Sequence, residues 1–162
     1  MGNDLAIYVS ALQDSLRNKW DILKKILELT QAQNEVLSMD DVNIERFDEL
    51  VGEKENLLKR LEVLDNGFQE LFDKIGTSLK ENSVQYKPQI LEMQNYIRTI
   101  TECSVKIQTL EKRNKEKFTA FVSGKRKEIR DFKKSNKTAV SYYQNMANQH
   151  REWQSYFVDK KK

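Results

Sequence analysis

The stretch 23–75, LKKILELTQAQNEVLSMDDVNIERFDELVGEKENLLKRLEVLDNGFQELFDKI, decides how this chain folds. Two apolar-periodic runs flank one short polar segment, MDDVN at 39–43. In the first run, which begins upstream, Leu5, Val9, Leu12, Leu16, Leu23, Ile26 and Leu37 follow alternating steps of three and four. Lys19, Thr30 and Gln33 stand in its gaps. In the second, Ile44, Phe47, Val51, Leu58, Leu61, Phe68, Leu71 and Ile75 repeat the pattern, broken by Lys54 and a slip near Leu64. A mean step of ~3.5 keeps such residues on one stripe of a helix, the seam of a coiled coil or bundle. Asp40, Asp41 and Asn43 are candidate caps, because their side-chain oxygens can accept from the free N–H groups at the start of a helix. So short a connection sets the two helices side by side and antiparallel.

Upstream, the first helix is expected over about 4–37, capped by Asn3 or Asp4. Trp20, Ile22, Leu27 and Leu29 widen its apolar face beyond a strict seam, so it should touch more than one neighbour. The second helix is expected over about 44–75, with Gly76-Thr77-Ser78 ending it, since glycine commonly follows a helix C-terminus; Leu79 would extend it by one more turn. Gly52 and Gly67 lie inside it, off the stripe, as weak or close-contact points.

Downstream, 80–88 reads as a linker that ends in the chain's single proline, Pro88, well suited to the first turn of a third helix. That helix is marked by Ile90, Met93, Ile97, Ile100, Ile107, Leu110, Phe118, Phe121, Ile129 and Phe132 and is expected over about 88–134. It would be ~70 Å long against ~50 Å for the other two, and so should overhang them. The overhang is expected to be basic. Residues 111–137 hold eleven Lys and Arg against four acids, 11 − 4 = +7, while the whole chain is +3. A solvated mixed-charge helix, a surface for an acidic protein partner and a nucleic-acid surface are all open readings of this segment. Gly124 falls within it as a candidate bend.

SNKT at 135–138 reads as a break and a new cap. The tail 138–162 that follows is rich in aromatic residues, and Tyr142, Met146, Trp153 and Phe157 fit one helical face. Two readings compete: a short fourth helix folding back over the third, or a partner-binding segment with exposed amphipathic aromatics. The fold class is therefore all-α: an elongated antiparallel bundle or coiled coil of three long helices over 1–137, with a short helical or partly disordered C-terminal tail.

The composition suits long helices with wet outer faces: 33% of the 162 residues are charged, with one Pro and five Gly. Mean hydropathy is −0.76, yet sustained apolar stripes argue against disorder. No apolar run reaches the ~20 residues that span a bilayer, and the N-terminus lacks the basic region of a secretion signal. Met-Gly at the start lacks the Ser or Thr of a myristoylation site, with Ala6 in its place. Cys103 is the only cysteine and reads as a small buried filler, which suits the cytoplasm. His150 is the only histidine and is flanked by polar residues, so no metal site is expected. No Cys–His pair, P-loop or dinucleotide pattern occurs, and neither an active site nor a cofactor is expected.

Taken together, the hairpin and the C-terminal segment resemble the FlgN-like flagellar export chaperones. The resemblance rests on the leucine-rich first helix with LELTQAQNEVL, the acidic Asp40-Asp41 turn, the pattern Phe47, Leu50, Lys54 and Leu57, and LLKRLEVLDNGF after it. It covers about residues 12–110. It implies a cytoplasmic, non-catalytic helper that binds the helical C-terminal ends of hook–filament junction proteins, prevents their premature assembly and carries them to the export gate. The partner-binding residues expected on that basis are Phe121, Ile129, Phe132, Tyr142, Tyr143, Met146, Trp153, Tyr156 and Phe157, with Tyr142 or Tyr143 as a contact for the gate. No nucleic acid or membrane insertion is expected, and a homodimer stays open. The rival readings are a FliT-like chaperone of the filament cap protein and a client-free coiled-coil scaffold.

Overall fold

The computed structural model describes residues 2–124. Over that span the chain forms three helices, α1 (Gly2–Leu37), α2 (Ile44–Glu81) and α3 (Lys87–Gly124), and among the described residues there is no strand. At ~1.5 Å per residue each is ~55 Å long. The turn 38–43 reverses α1 into α2, and Asn43 is the cap: its Oδ1 accepts from the Arg46 N–H at 3.1 Å. Asp40 and Asp41 are exposed beside it. Glu45 in the first turn of α2 and Lys80 in its last turn complement the helix dipole.

The expectation that Gly76-Thr77-Ser78 ends the second helix is not met. Gly76 keeps a helical backbone, and no described glycine has positive φ. Leu79, 6% exposed, reaches the core, so the extra turn buries a large side chain. The connection to α3 shrinks accordingly, from the expected 80–88 to 82–86. Asn82 closes α2 by donating its backbone N–H to the Ser78 carbonyl at 3.0 Å and its side-chain amide to the same oxygen at 2.7 Å. Tyr86 is buried within the turn, and its carbonyl accepts from Ile90 N–H at 2.9 Å. Pro88 is the second residue of α3, where its missing N–H costs no intrahelical bond.

Helix α1 is the shared partner. Both α2 and α3 pack their backbones against it, and not against one another. This is why its apolar face is wide: Val9, Leu12, Leu16, Leu23 and Ile26 are all essentially inaccessible. The cross-links along the helices give the directions. Tyr8 meets Lys74 and Gln33 meets Lys54, so α1 and α2 are antiparallel. Arg17 meets Glu92, Cys103 meets the Leu23 carbonyl and Asn114 meets the Thr30 carbonyl, so α1 and α3 run parallel.

The apolar side chains form two clusters. The larger runs from Val9 to Ile107 and includes Leu61, Phe68, Ile75 and Ile100. The smaller closes the end near the first turn, where Val36, Leu37, Phe47, Leu50, Val51 and Phe118 meet. There the Phe47 and Phe118 rings stack with centroids 5.2 Å apart, tying α2 to α3 through side chains. This end corrects the expected overhang. Glu111, Asn114 and Phe118 are buried, and Lys117 donates to Asn34 Oδ1 at 2.8 Å and Ser38 Oγ at 2.6 Å at the end of α1. The third helix therefore stays level with α1 as far as Phe118. Only Lys112, Arg113 and Lys115 of this stretch point to solvent as cations.

Candidate partner-binding site

Between the two apolar clusters lies a buried polar layer. Three gaps in the stripes fall in it: Thr30, Gln33 and Lys54, each at most 2% exposed. Lys54 donates to Gln33 Oε1 at 2.6 Å and forms an ion pair with Glu111 on α3. The Thr30 hydroxyl lies 3.0 Å from Glu111 Oε1 and 2.7 Å from the Ile26 carbonyl, and Asn114 Nδ2 donates to the Thr30 carbonyl at 3.0 Å. Residues of all three helices thus meet at one level. Burial pushes the Lys54 ammonium below its ordinary value and the Glu111 carboxyl above its own, with their mutual attraction opposing both shifts. The fourth gap, Lys19, pairs with Asp65 on α2 at 3.0 Å and is 1% exposed. Burial lowers it from 10.5 to about 8 against the attraction of Asp65.

Lys19 and Lys54 are both buried, 1% and 2% exposed. Cys103 is buried, and burial raises its thiol. Among the described residues, no group of three or more His, Cys, Asp or Glu side chains could hold a metal ion. No described helix is long and apolar enough to cross a membrane. The layer instead sets register. A slip of either outer helix would leave Lys54 or Glu111 buried without its counter-charge, which is costly in a medium of low polarity.

An apolar concavity lies at the other end of the described helices. A cavity of about 640 Å³ sits between α2 and α3 above the second turn. Leu16 of α1 is its floor; Phe68, Phe72 and Leu79 line one wall, and Ile90, Met93 and Ile97 the other. Gly76 brings the α2 backbone to its rim, and Asp73, Thr77 and Lys80 edge it. A Cβ on Gly76 would come 3.4 Å from the Phe72 ring, so the glycine and the aromatic fit tightly together. The sequence reading missed this cavity. The available signal was Leu79 beyond the supposed helix end, together with three aromatic or aliphatic positions on each facing helix.

Of the residues expected to bind a partner, Phe121 lies within the described span. It is half-buried and packs with Val122 on the small cluster around Phe47 and Phe118. Ile129, Phe132, Tyr142, Tyr143, Met146, Trp153, Tyr156 and Phe157 lie outside the described residues, as do the expected run of the third helix to 134 and the break at 135–138.

No curated protein and no solved structure matches this chain. A family described as FlgN protein matches residues 1–151, a span that takes in all three helices and stops short of Trp153, Tyr156 and Phe157. The chain therefore belongs to the FlgN family of flagellar export chaperones.

Proposed function

We propose that the clients of this chaperone are the hook–filament junction proteins, recognised by their C-terminal helices. In this reading the chain covers those helices in the cytoplasm, keeps them from assembling early and delivers them to the export gate. It does so without catalysis and without a cofactor. The observation that carries the reading is the family match over residues 1–151. Physical chemistry supplies the means. An amphipathic helix offered by a client is stabilised when its apolar face leaves water, at ~25 cal/mol per Å² of apolar area.

The client surface proposed is the end of α3 and the aromatic segment beyond it: Phe121, Ile129, Phe132, Tyr142, Tyr143, Met146, Trp153, Tyr156 and Phe157. Tyr and Trp suit such a surface because they bring large contact area and a polar tip with little rotamer entropy to lose. Calorimetric titration of junction-protein C-terminal peptides into the full chain and into a chain lacking 138–162 tests this. One-to-one binding by the full chain and at least tenfold weaker binding by the shortened one are expected. Unchanged affinity after the deletion would remove the site assignment. Binding to a filament-cap peptide in place of the junction peptides would remove the client.

A further inference from the structure

A second concavity, of about 650 Å³, lies between α1 and α2, and no residue of α3 lines it. Buried Ile22 and half-buried Leu64 give it an apolar floor, and Val63, 74% exposed, stands beside them. Lys25 stands on the α1 wall and Lys59 and Arg60 on the α2 wall, all three exposed. The links Gln33–Lys54 and Lys19–Asp65 fix the antiparallel register and set Lys25 level with Lys59 and Arg60. Three cations therefore converge at one level, one helical turn from the apolar floor.

The surrounding charge makes this convergence informative. Residues 1–81 carry ten Lys and Arg against seventeen Asp and Glu, 10 − 17 = −7. In so acidic a hairpin most cations find a carboxylate, as Arg17, Lys19, Lys24, Arg46 and Lys54 do. Lys25, Lys59 and Arg60 form no ion pair with a described residue. Asp21, on the same α1 wall, is held by Lys24 at 3.2 Å. Like charges gathered without a counter-charge repel one another, so an anion entering the groove relieves that repulsion.

We propose that this groove is a docking site for an acidic amphipathic helix of another protein, separate from the surface proposed for the client. Such a helix lays apolar side chains on Ile22, Val63 and Leu64 and its carboxylates, one turn further along, on Lys25, Lys59 and Arg60. Recognition of a helix in a groove rests on apolar anchors, and complementary charge fixes register and speeds encounter. The chain's own segment 125–162 has the wrong sign to fill it: eleven Lys and Arg stand there against four Asp and Glu, 11 − 4 = +7. Nucleic acid is disfavoured because the groove offers an aliphatic floor and no aromatic ring on which a base could stack.

The test is fluorescence anisotropy of a labelled synthetic helical peptide of about 18 residues, with Leu on one face and Glu beside it, titrated with the full chain. Saturable binding is expected, and a peptide with glutamine in place of every glutamate should bind at least tenfold more weakly. Lys25→Gln with Lys59→Gln and Arg60→Gln should also weaken binding at least tenfold, and Val63→Ser several-fold. All four positions are exposed, so these variants should keep the Tm of the unaltered chain. A control triple, Lys112→Gln with Arg113→Gln and Lys115→Gln, equally exposed on α3, should change affinity less than twofold. Equal losses in the two triples would mean attraction to positive charge in general and would overturn the proposal. No binding, or unchanged affinity in the groove variants, would overturn it too. A single-stranded oligonucleotide or anionic lipid vesicles that bind more tightly than the peptide, and lose affinity with the groove variants, would put another class of ligand there. Self-association abolished by the groove triple would give the groove to a second copy, and either result would overturn the assignment.

Discussion

Lys54 occupies a core position of α2 where the stripe would otherwise take a leucine, and its ammonium is held by Gln33 and Glu111. Charge buried this way is poor evidence for stability, since the attraction must offset the loss of water around both ions. Removing one partner alone should be worse than removing both. Lys54→Met is expected to cost about 3 kcal/mol in urea unfolding, and Lys54→Met with Glu111→Leu to recover most of that loss. The Lys19 pair is best read through pH. Its folded value, about 8, lies below the 10.5 of the free side chain. Between these values the unfolded chain holds the proton more often than the folded chain, so stability contributed at this site rises with pH across that window. Below about 8 both states are protonated, and the cost of burying the charge is fully present. The wild-type chain should therefore gain up to about 3 kcal/mol relative to Lys19→Met between pH 8 and 10.5. A stability difference that stays flat with pH would contradict this. The gaps at Lys19, Thr30, Gln33 and Lys54 were legible in the sequence as interruptions of a stripe. Glu111 was not. It adjoins Leu110, which satisfies the apolar pattern, and only the levels of three packed helices show that position 111 faces inward.

At the scale of elements, the first hairpin could be read because stripe, turn and cap all agree. The second could not, because Gly76 imitates a stop signal. A glycine ends a helix when the chain needs left-handed backbone beside it, and here the burial of Leu79 continues the helix instead. Tyr86 was hidden for a related reason. A residue in a five-residue connection follows no period, so nothing in the pattern marks it as buried. The caps and glycines also offer direct tests. Asn43→Ala removes the acceptor for the Arg46 N–H and should cost about 1 kcal/mol. Gly67 lies in mid-helix with nothing within 4 Å of an added Cβ. Gly67→Ala should stabilise by about 0.5–1 kcal/mol, raising Tm by a few degrees in a thermal scan. Gly76→Ala should gain less, because its methyl would press on the Phe72 ring at 3.4 Å.

At the scale of the molecule, the apolar stripes established an all-helical bundle, and α1 emerged as its centre through the width of its face. The relative offset of the helices was beyond the pattern. Length alone suggested that the third helix outruns the others soon after Leu110. In the structure α3 runs parallel to α1, and Lys117 reaches the end of α1 at Ser38, which keeps this stretch level with α1 as far as Phe118. The described residues thus form a rod with a closed end around Phe47 and Phe118 and an open groove at the other. The proposed role as a chaperone of junction proteins is tested most directly by sedimentation of an equimolar mixture with a full-length junction protein, at a concentration where that protein alone self-associates. A single one-to-one complex, with the larger aggregates gone, is the predicted result. A junction protein that sediments and aggregates as it does alone would contradict the account.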